Sequence, residues 1–175
     1  MKIILVFVST LDGKITKWNN PEVWSWSSKE DQLYFTDLWE NSRLLVMGSN
    51  TFKTEPVKPS SGQRIIVLTS HPEKYKSFQI PGQIEFLNMI PSELVYQFNQ
   101  EGYELMTVVG GAHLATSFLK EQLIDELWLT IEPKIFGIGD NFVIPDKLDI
   151  SLRLLECRRI NDQGTLITKY AVIKN

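Results

Sequence analysis

The feature that most constrains the fold is a short, almost unbroken aliphatic run that recurs along the chain and repeatedly ends in turn-forming residues. A run without polar alternation is typical of a strand buried on both faces, as in a parallel sheet covered by helices. The longest uninterrupted run, Ile3 to Val8, has six residues, whereas a membrane helix needs about 20. The sequence therefore predicts buried strands and no membrane span. The predicted strands are Lys2–Ser9, Arg43–Met47, Arg64–Thr69, Ile84–Leu87, Leu105–Val109 and Leu127–Ile131.

Helical patterns alternate with these strands. Ser27 or Ser28 can cap the first helix, which ends near Asn41, because a serine hydroxyl accepts a hydrogen bond from a first-turn N–H group. The apolar face of this helix is predicted to contain Leu33, Tyr34, Leu38 and Trp39. Further helical segments are predicted at Ser49–Lys53, from Pro91 to Gly102 and from Ala112 to Glu121. Residues 70–83 and the stretch with Pro56, Pro59 and Gly62 are predicted to be loops.

After Glu121 the chain finishes in β structure. Leu152–Arg159 and Leu166–Ile173 flank a turn and predict an antiparallel hairpin. Alternation of strands and helices followed by strands indicates an α/β sandwich whose sheet is parallel in its centre and antiparallel at one edge. Leu127–Ile131 and the hairpin are expected to expose a sheet edge. The 175 residues, without repeats or a linker, predict a single domain over residues 1–175.

Composition excludes several classes of protein. The chain has one cysteine and two histidines, so a disulfide framework is excluded and no metal site is expected. The cysteine, Cys157, lies in an apolar strand pattern and is predicted to be buried. A net charge of −3 without a long basic stripe argues against nucleic-acid binding. Because the first strand is not followed by a small-residue cleavage site, a cytoplasmic location is expected.

Three predicted strands end in turns of small residues, and ligands of open α/β sheets bind beyond the carboxyl ends of the strands. Glycines let a backbone approach a phosphate group, and helix N-termini offer N–H groups to it. The double glycine could therefore hold a pyrophosphate, or it could form only a tight turn. Neither GxGxxG nor GxxxxGK[ST] occurs, which excludes a Rossmann fingerprint and a P-loop. The three turns are Gly48-Ser49-Asn50-Thr51, Thr69-Ser70-His71 and Gly110-Gly111-Ala112.

Two ionisable residues are candidates for chemistry at this edge. Asp31 falls in the first turn of the helix after a Trp-rich loop. It could bind the N–H groups of a heterocycle or deliver a proton, or it could be a helix acid that the macrodipole favours. His113 follows the double glycine and could contact a phosphate or simply be solvated. Residues 53–76, with five basic and two acidic residues, could likewise meet a phosphorylated ligand or form a solvated face.

In combination, these segments resemble the dihydrofolate reductase-like superfamily, and within it the RibD C-terminal reductase domain of riboflavin biosynthesis. The resemblance implies a three-layer sandwich of the dihydrofolate reductase type and a homodimer built around the C-terminal hairpin. It also implies an NADPH-dependent reductase that transfers hydride to a pyrimidine or pterin-like heterocycle. Its anchors, in order, are Ser9–Ile15, Trp26 with Ser28 and Asp31, Leu45–Phe52, Arg64–Ser70, Val108–Ala112, and Asp125–Leu127 with Pro133–Gly139.

The resemblance assigns roles by position. Asp31 matches the acid that meets the pterin in dihydrofolate reductases and is the candidate catalytic residue. Asp12, Gly13 and Lys14 are expected near the nicotinamide and the substrate, and Trp26 could stack on the substrate or close the core. The residues expected to bind the cofactor are Gly48, Ser49, Asn50, Thr51, Thr69, Ser70, His71, Gly110, Gly111, Ala112, His113 and Leu114. The candidates to meet a 2′-phosphate are Lys53, Arg64, His71 and Lys74.

Some positions depart from the family pattern. Ser49 stands where dihydrofolate reductases usually have arginine, and Val109 stands where riboflavin reductases usually have an acid. No HxE…PCxxC signature of a fused zinc deaminase is present. Three functions are therefore weighed: a reductase of 5-amino-6-(5-phosphoribosylamino)uracil, a true dihydrofolate reductase, and a nucleotide-binding protein without catalysis.

Overall fold

The structure is a computed structural model that describes residues 1–54 and 57–174. Pro56 lies outside these residues, whereas the rest of the loop predicted with Pro59 and Gly62 is described at residues 57–63 and contains no helix or strand, as predicted. One sheet contains all eight named strands of the described residues, in the order β4-β3-β2-β5-β1-β6-β8-β7. The strands are β1 (Lys2–Thr10), β2 (Leu44–Gly48), β3 (Arg64–Leu68), β4 (Ile84–Leu87), β5 (Leu105–Val108), β6 (Glu126–Glu132), β7 (Ser151–Arg159) and β8 (Leu166–Ile173).

Six strands are parallel and the last two are antiparallel. β1 lies in the middle, with β5 on one side and β6 on the other, both parallel to it. β8 runs antiparallel to β6, with Leu127 opposite Tyr170, and β7 runs antiparallel to β8. The predicted mostly parallel sheet with an antiparallel C-terminal hairpin is confirmed.

Helices cover both faces of the sheet, so the architecture is the three-layer sandwich of the dihydrofolate reductase type. Ile3 and Leu5 of β1 belong to the larger buried cluster, which also contains Leu94 and Phe118 from two of the helices. Ile4 of β1 packs on the opposite face with a third helix. Successive residues of a strand point to opposite faces, which explains why this strand needs an unbroken aliphatic run. The helices are α1 (Lys29–Asn41), α2 (Ser49–Thr54), α3 (Pro91–Gln100) and α4 (Ala112–Lys120).

The start of α1 follows the sequence prediction closely. Ser28 is the N-cap, and its Oγ accepts a hydrogen bond from the N–H of Asp31 at 3.3 Å. The apolar face differs at Leu33, which is 71% exposed, whereas Leu38 is buried. The prediction for Leu33 is wrong because only a narrow stripe of α1 is buried. This stripe contains Asp31 and Leu38 but not Leu33.

Three further predictions are corrected. Residues 70–83 are not entirely loop, because a 3₁₀ helix spans Pro72–Phe78 and buries Tyr75 among aromatic side chains. Leu127–Ile131 does not form an edge, since β6 lies between β1 and β8. The C-terminal edge is β7, which has one strand neighbour, and Cys157 on it is exposed rather than buried. Among the described residues, no helix has the length and apolar character needed to cross a membrane.

Candidate active site

A cleft of about 1380 Å³ opens at the carboxyl edge of the parallel strands. The ends of β2, β3 and β5 contribute one side of its lining, and β1, β6 and the start of α1 contribute the other. The glycine end is defined here as Gly48–Thr51, Leu68–Ser70 and Val109–Leu114. The acid end is defined as Ser27, Asp31, Tyr34, Phe35 and Thr130, with Glu22–Trp24 at its mouth. The two ends are parts of the same cleft.

The glycine end brings together the three small-residue turns. All residues predicted to bind the cofactor line the cleft except His71. The N–H of Gly48 donates to the carbonyl of Gly110 at 2.9 Å, which joins the first and third turns. The Gly110–Gly111 peptide bond is cis.

Space at this end requires glycine. A Cβ atom at Gly111 would lie 3.1 Å from Oγ1 of Thr51, and one at Gly110 would lie 3.2 Å from the ring of Phe7. Gly110 also has φ of +104°, which side-chain-bearing residues rarely adopt. Phe7 and Thr51 therefore pack closely against this turn, beside the N-terminus of α4, where the first N–H groups of a helix lack helical partners and attract anions.

The basic residues proposed for a 2′-phosphate are dispersed. Arg64 stands at the start of β3, at the opposite edge of the sheet, where Nε lies 2.7 Å from Glu85 and Nη1 lies 2.5 Å from Glu101. This ion-pair network removes Arg64 from the candidates. His71 lies outside the lining of the cleft, with Nδ1 3.3 Å from Glu73. Lys53 on α2 lies 5.8 Å from the ring of Tyr75, beside the glycine end.

The acid end is built around Asp31, which is 4% exposed and lines the cleft. Burial raises the pKa of Asp31 to about 6, and the negative charge of Glu132 adds to the rise. Hydrogen bonds to Thr130 and Ser27 act in the opposite direction on this pKa. A carboxyl group with such a pKa can hold a proton near neutral pH and exchange it with a ligand.

Glu132 is a residue that the sequence reasoning treated only as the end of a strand. It is 1% exposed, and its Oε1 accepts a hydrogen bond from the N–H of Ser28 at 2.7 Å. Its Oε2 accepts from the hydroxyl of Thr165 at 2.9 Å, at the start of the segment leading into β8. Glu132 therefore connects β6, the cap of α1 and the C-terminal hairpin directly behind Asp31. The available signal was a glutamate that closes the apolar pattern Leu127–Ile131 before a proline.

The residues predicted near the nicotinamide have a different local role. Asp12 accepts hydrogen bonds from Thr10 at 2.5 Å and from the N–H of Gly137 at 2.7 Å. These bonds, the one from Thr10 foremost, lower the pKa of Asp12. Nζ of Lys14 donates to Asn141 at 3.1 Å. Asp12, Gly13 and Lys14 lie outside the lining, whereas Ile15, Thr16 and Asn141 belong to it.

Trp26 belongs to the core rather than to the cleft. It is 3% exposed and packs edge-to-face on Phe136, with ring centroids 5.2 Å apart. The tryptophan that lines the cleft is Trp24, which is 41% exposed. Sequence alone left open which tryptophan faces a ligand, because Trp24 and Trp26 share one loop and only the turn of the short 3₁₀ helix at Val23–Ser25 separates their directions.

The described residues contain no group of three or more His, Cys, Asp or Glu side chains arranged to hold a metal ion. The polar groups of the cleft are instead backbone N–H groups, hydroxyls, amides and isolated carboxyls. Such a lining is suited to an organic ligand with a phosphate-bearing part at one end and a hydrogen-bonding ring at the other.

Comparison with known proteins supports the architecture. The uncharacterised protein YyaP of Bacillus subtilis is 28% identical over 169 residues, which cover 90% of this chain and 88% of YyaP. A pyrimidine reductase-like protein from Corynebacterium diphtheriae has a TM-score of 0.81 at 13% identity, with 99% and 92% of the two chains covered. A dihydrofolate reductase from Enterococcus faecalis, solved with NADP(H), has a TM-score of 0.72 at 19% identity, with 99% and 97% covered. These structural likenesses concern the fold.

The sequence model of the RibD C-terminal domain family matches residues 1–166, which include all the cleft-lining residues. The chain therefore belongs to the RibD C-terminal domain family.

Proposed function

We propose that this protein is a cytoplasmic NADPH-dependent reductase of the RibD C-terminal type, and that its substrate is a pyrimidine or pterin-like heterocycle. The observation that carries the proposal is the continuity of the cleft, which joins a glycine-lined cradle to a buried carboxyl group with a pKa near 6. A hydride donor and a proton donor have to meet the same substrate in such a reduction.

The glycine end suits the cofactor. Gly110 and Gly111 let this turn pack closely on Phe7 and Thr51, and the adjacent N-terminus of α4 would stabilise the charge of a pyrophosphate. Ser49, Asn50, Thr69 and Ser70 would flank the adenosine, and Lys53, on the helix that begins at Ser49, is a candidate to meet a 2′-phosphate. When bound, NADPH supplies the hydride, and the protein supplies its position.

The acid end suits the heterocycle. Asp31 would accept hydrogen bonds from ring N–H groups when ionised and would hold the proton required at a ring nitrogen when protonated. Thr130 and Ser27 would orient its carboxyl group. Phe35 and Trp24 would exclude water from the faces of a flat ligand.

Two substrates follow from this proposal. Membership of the RibD C-terminal family favours 5-amino-6-(5-phosphoribosylamino)uracil, the substrate implied by the riboflavin pathway. The buried Asp31 with its Thr130 partner favours dihydrofolate as the second candidate.

We also propose that the protein acts as a homodimer.

The first test is a titration of the purified protein with NADPH and with NADH, followed by quenching of tryptophan fluorescence. NADPH is expected to bind at least about tenfold more tightly than NADH, a difference of roughly 1.4 kcal/mol. Turnover of the two candidate substrates would then be followed by loss of the reduced nicotinamide absorbance. Binding of NADPH without turnover of any heterocycle would favour a nucleotide-binding protein without catalysis, and failure of both nucleotides to bind would contradict the proposal.

A further inference from the structure

The C-terminal hairpin brings a cation to the acid end of the cleft. We propose that Arg158 on β7, together with the hydroxyl of Tyr34, binds the anionic tail of the heterocyclic substrate. Both candidate substrates carry such a tail, which ends in a phosphate in one and in carboxylates in the other. The inference rests on the proposed function, because it assumes that the cofactor occupies the glycine end and the heterocycle the acid end.

The position of Arg158 follows from the register of three strands. Thr130 on β6 pairs with Ile167 on β8, and Ile167 pairs with Arg158 on β7. Side chains of paired residues in antiparallel strands lie on the same face of the sheet. Thr130 lines the acid end and bonds Asp31 of α1. Arg158 therefore stands in the same row and on the α1 face, two strand spacings or about 10 Å from Thr130.

Tyr34 connects this cation with the cleft. It lines the acid end one helical turn after Asp31, and Cζ of Arg158 lies 5.7 Å from the centroid of its ring. Burial raises the pKa of Tyr34 to about 12, and the charge of Arg158 acts against this rise. The phenol therefore keeps its proton at neutral pH.

The same hydroxyl group lacks an acceptor. Oη of Tyr34 is shielded from solvent and has no hydrogen-bond partner among the described residues. Buried polar groups are normally hydrogen-bonded, because an unpaired donor in the interior is unfavourable. An oxyanion held by Arg158 would supply the acceptor. The guanidinium and the phenol thus offer two donors to one group.

The carboxylate beside Arg158 does not neutralise the local charge. Nε of Arg158 lies 3.1 Å from Oε1 of Glu156, and Nζ of Lys169 lies 2.8 Å from Oε2 of the same carboxylate. Two cations therefore share one anion, which leaves a positive charge in excess. Lys169 also lies 4.4 Å from the ring centroid of Trp128 and is mostly covered, whereas the side chain of Arg158 is 52% exposed. Arg158 is thus the member of this pair that a ligand can contact.

Other cations near the acid end have partners of their own. Nζ of Lys14 donates to a side-chain amide, and Nζ of Lys134 donates to a backbone carbonyl. Arg64 is held by two glutamates at the opposite edge of the sheet. Nζ of Lys17 lies 4.7 Å from the ring centroid of Trp18, which is exposed and does not line the cleft. Lys17 is the alternative that the experiment has to exclude.

Charge also orients the substrate. Asp31 and, at the mouth of the cleft, Glu22 repel an anion, so the ring meets Asp31 while the tail is directed away from both carboxylates. Arginine binds a phosphate or a carboxylate through two parallel hydrogen bonds. A tail directed towards β7 would meet this arrangement at Arg158.

The test compares ligands with and without the anionic group. The probes are 5-amino-6-ribitylaminouracil with its 5′-phosphate, and folate with its dimethyl ester. Binding is measured by isothermal titration calorimetry on the full chain saturated with NADP⁺, which occupies the glycine end and prevents reduction of the probes. For at least one pair, the more charged compound is expected to bind at least about tenfold more tightly than its partner. The pair that shows this preference identifies the group as phosphate or carboxylate.

Substitutions of Arg158 show where the preference arises. Arg158→Met is expected to reduce it about tenfold, and Arg158→Lys is expected to restore part of it, because an ammonium group keeps the charge but lacks the planar fork. Arg159→Met makes the same change in net charge at the next residue of β7, which points to the opposite face and is 64% exposed. This control and Lys17→Met are expected to keep the native preference. Unchanged binding of NADP⁺ shows that each variant is folded.

Tyr34→Phe tests the second donor. It is expected to weaken binding of the charged compound by about threefold or more and to leave its uncharged partner unaffected. In the double variant with Arg158→Met the two losses are expected not to add, because both donors bind one group. Equal weakening of both members of the pair would show a structural role of Tyr34 and remove it from the site.

The outcomes separate this inference from the proposed function. Equal binding within both pairs, or a preference that persists in Arg158→Met, overturns the inference and leaves the reductase proposal intact. Loss of the preference in Lys17→Met or Arg159→Met to the same extent also overturns it. Absence of binding by all four probes to a protein that still binds NADP⁺ overturns the substrate class and this inference with it. Failure to bind NADP⁺ overturns the proposed function itself.

Discussion

Asp31 is the residue at which stability and the proposed function oppose each other. Its burial raises the pKa to about 6, above the ordinary value of 3.8. Between these two pH values the folded protein binds more protons at Asp31 than the unfolded chain does, so the free energy of unfolding falls as pH rises through this range. The native protein is therefore expected to be less stable near neutral pH than it would be without this charge, as is common for groups retained for function.

Replacement of this carboxyl group tests both effects. Asp31→Asn is expected to raise the free energy of unfolding at pH 7 by about 2 kcal/mol and to flatten its pH dependence between about pH 4 and 6. The same variant is expected to lose about a hundredfold or more of turnover. Urea denaturation at several pH values and steady-state kinetics measure the two quantities. Asp37→Asn, at an exposed position on the same helix, is the control and is expected to change neither.

The pH profile of the proposed activity in the native protein provides an independent check at this residue. If the protonated form of Asp31 supplies the proton, turnover is expected to be level below about pH 6 and to fall roughly tenfold per pH unit above it. A profile that stays flat through pH 8 would show that Asp31 does not deliver the proton. Binding of NADPH, measured alongside, should be insensitive to this titration because the glycine end is a separate part of the cleft.

At the scale of elements, Glu132 connects three of them. It ends β6, accepts the N–H of Ser28 at the start of α1, and accepts the hydroxyl of Thr165 before β8. Asn161 donates to the same hydroxyl at 2.8 Å and to Glu30 at 3.2 Å, which continues the network into the hairpin turn. The position of Asp31 thus depends on contacts from the C-terminal hairpin, which lies far from it in sequence.

Three substitutions separate the charge of Glu132 from its hydrogen bonds. Glu132→Ala leaves the N–H of Ser28 without this acceptor and is expected to cost about 2 kcal/mol or more in the free energy of unfolding. Glu132→Gln keeps an acceptor but removes the charge, so the pKa of Asp31 is expected to fall, as seen by ¹³C NMR of labelled aspartate carboxyl groups. Thr165→Val keeps the charge and should lower stability with a smaller effect on that pKa. Equal pKa values in all three variants and the native protein would rule out an electrostatic effect of Glu132.

Elements with strong local signals were predictable from the sequence. The aliphatic runs located the strands, the pair Ser27-Ser28 located the cap of α1 to within one residue, and Pro91 located the start of α3. The three small-residue turns could be predicted to lie at one edge, because the carboxyl ends of parallel strands meet there. The exposure of Cys157 and the contacts of Glu132 were not predictable, because they depend on strand order and on partners more than 30 residues away. Trp26 and Trp24 could not be separated, since loop side chains follow no regular period.

The whole molecule has one sheet edge that is unusually apolar. β7 has a strand neighbour on one side, and Leu152, Leu154 and Leu155 on it are 41%, 54% and 49% exposed. Edge strands with free backbone groups and apolar side chains are normally covered, because they otherwise pair with other chains. The proposed homodimer would cover this edge, which is the hairpin part of the edge expected from the sequence, whereas Leu127–Ile131 lies inside the sheet.

The assembly can be tested through the same strand. Light scattering at micromolar protein is expected to give twice the monomer mass, and Leu154→Lys is expected to shift the protein towards the monomer because a buried lysine at the interface lacks a partner. Leu33→Lys, which changes a 71% exposed residue on α1, is the control and should stay dimeric.

Cys157 is the single cysteine of the chain and lies on β7, so its alkylation rate reports directly on this edge. Dimerisation at β7 predicts slow alkylation in the native protein and faster alkylation in Leu154→Lys. A monomeric native protein, or equal alkylation rates in a dimer and in the variant, would place the assembly elsewhere or exclude it.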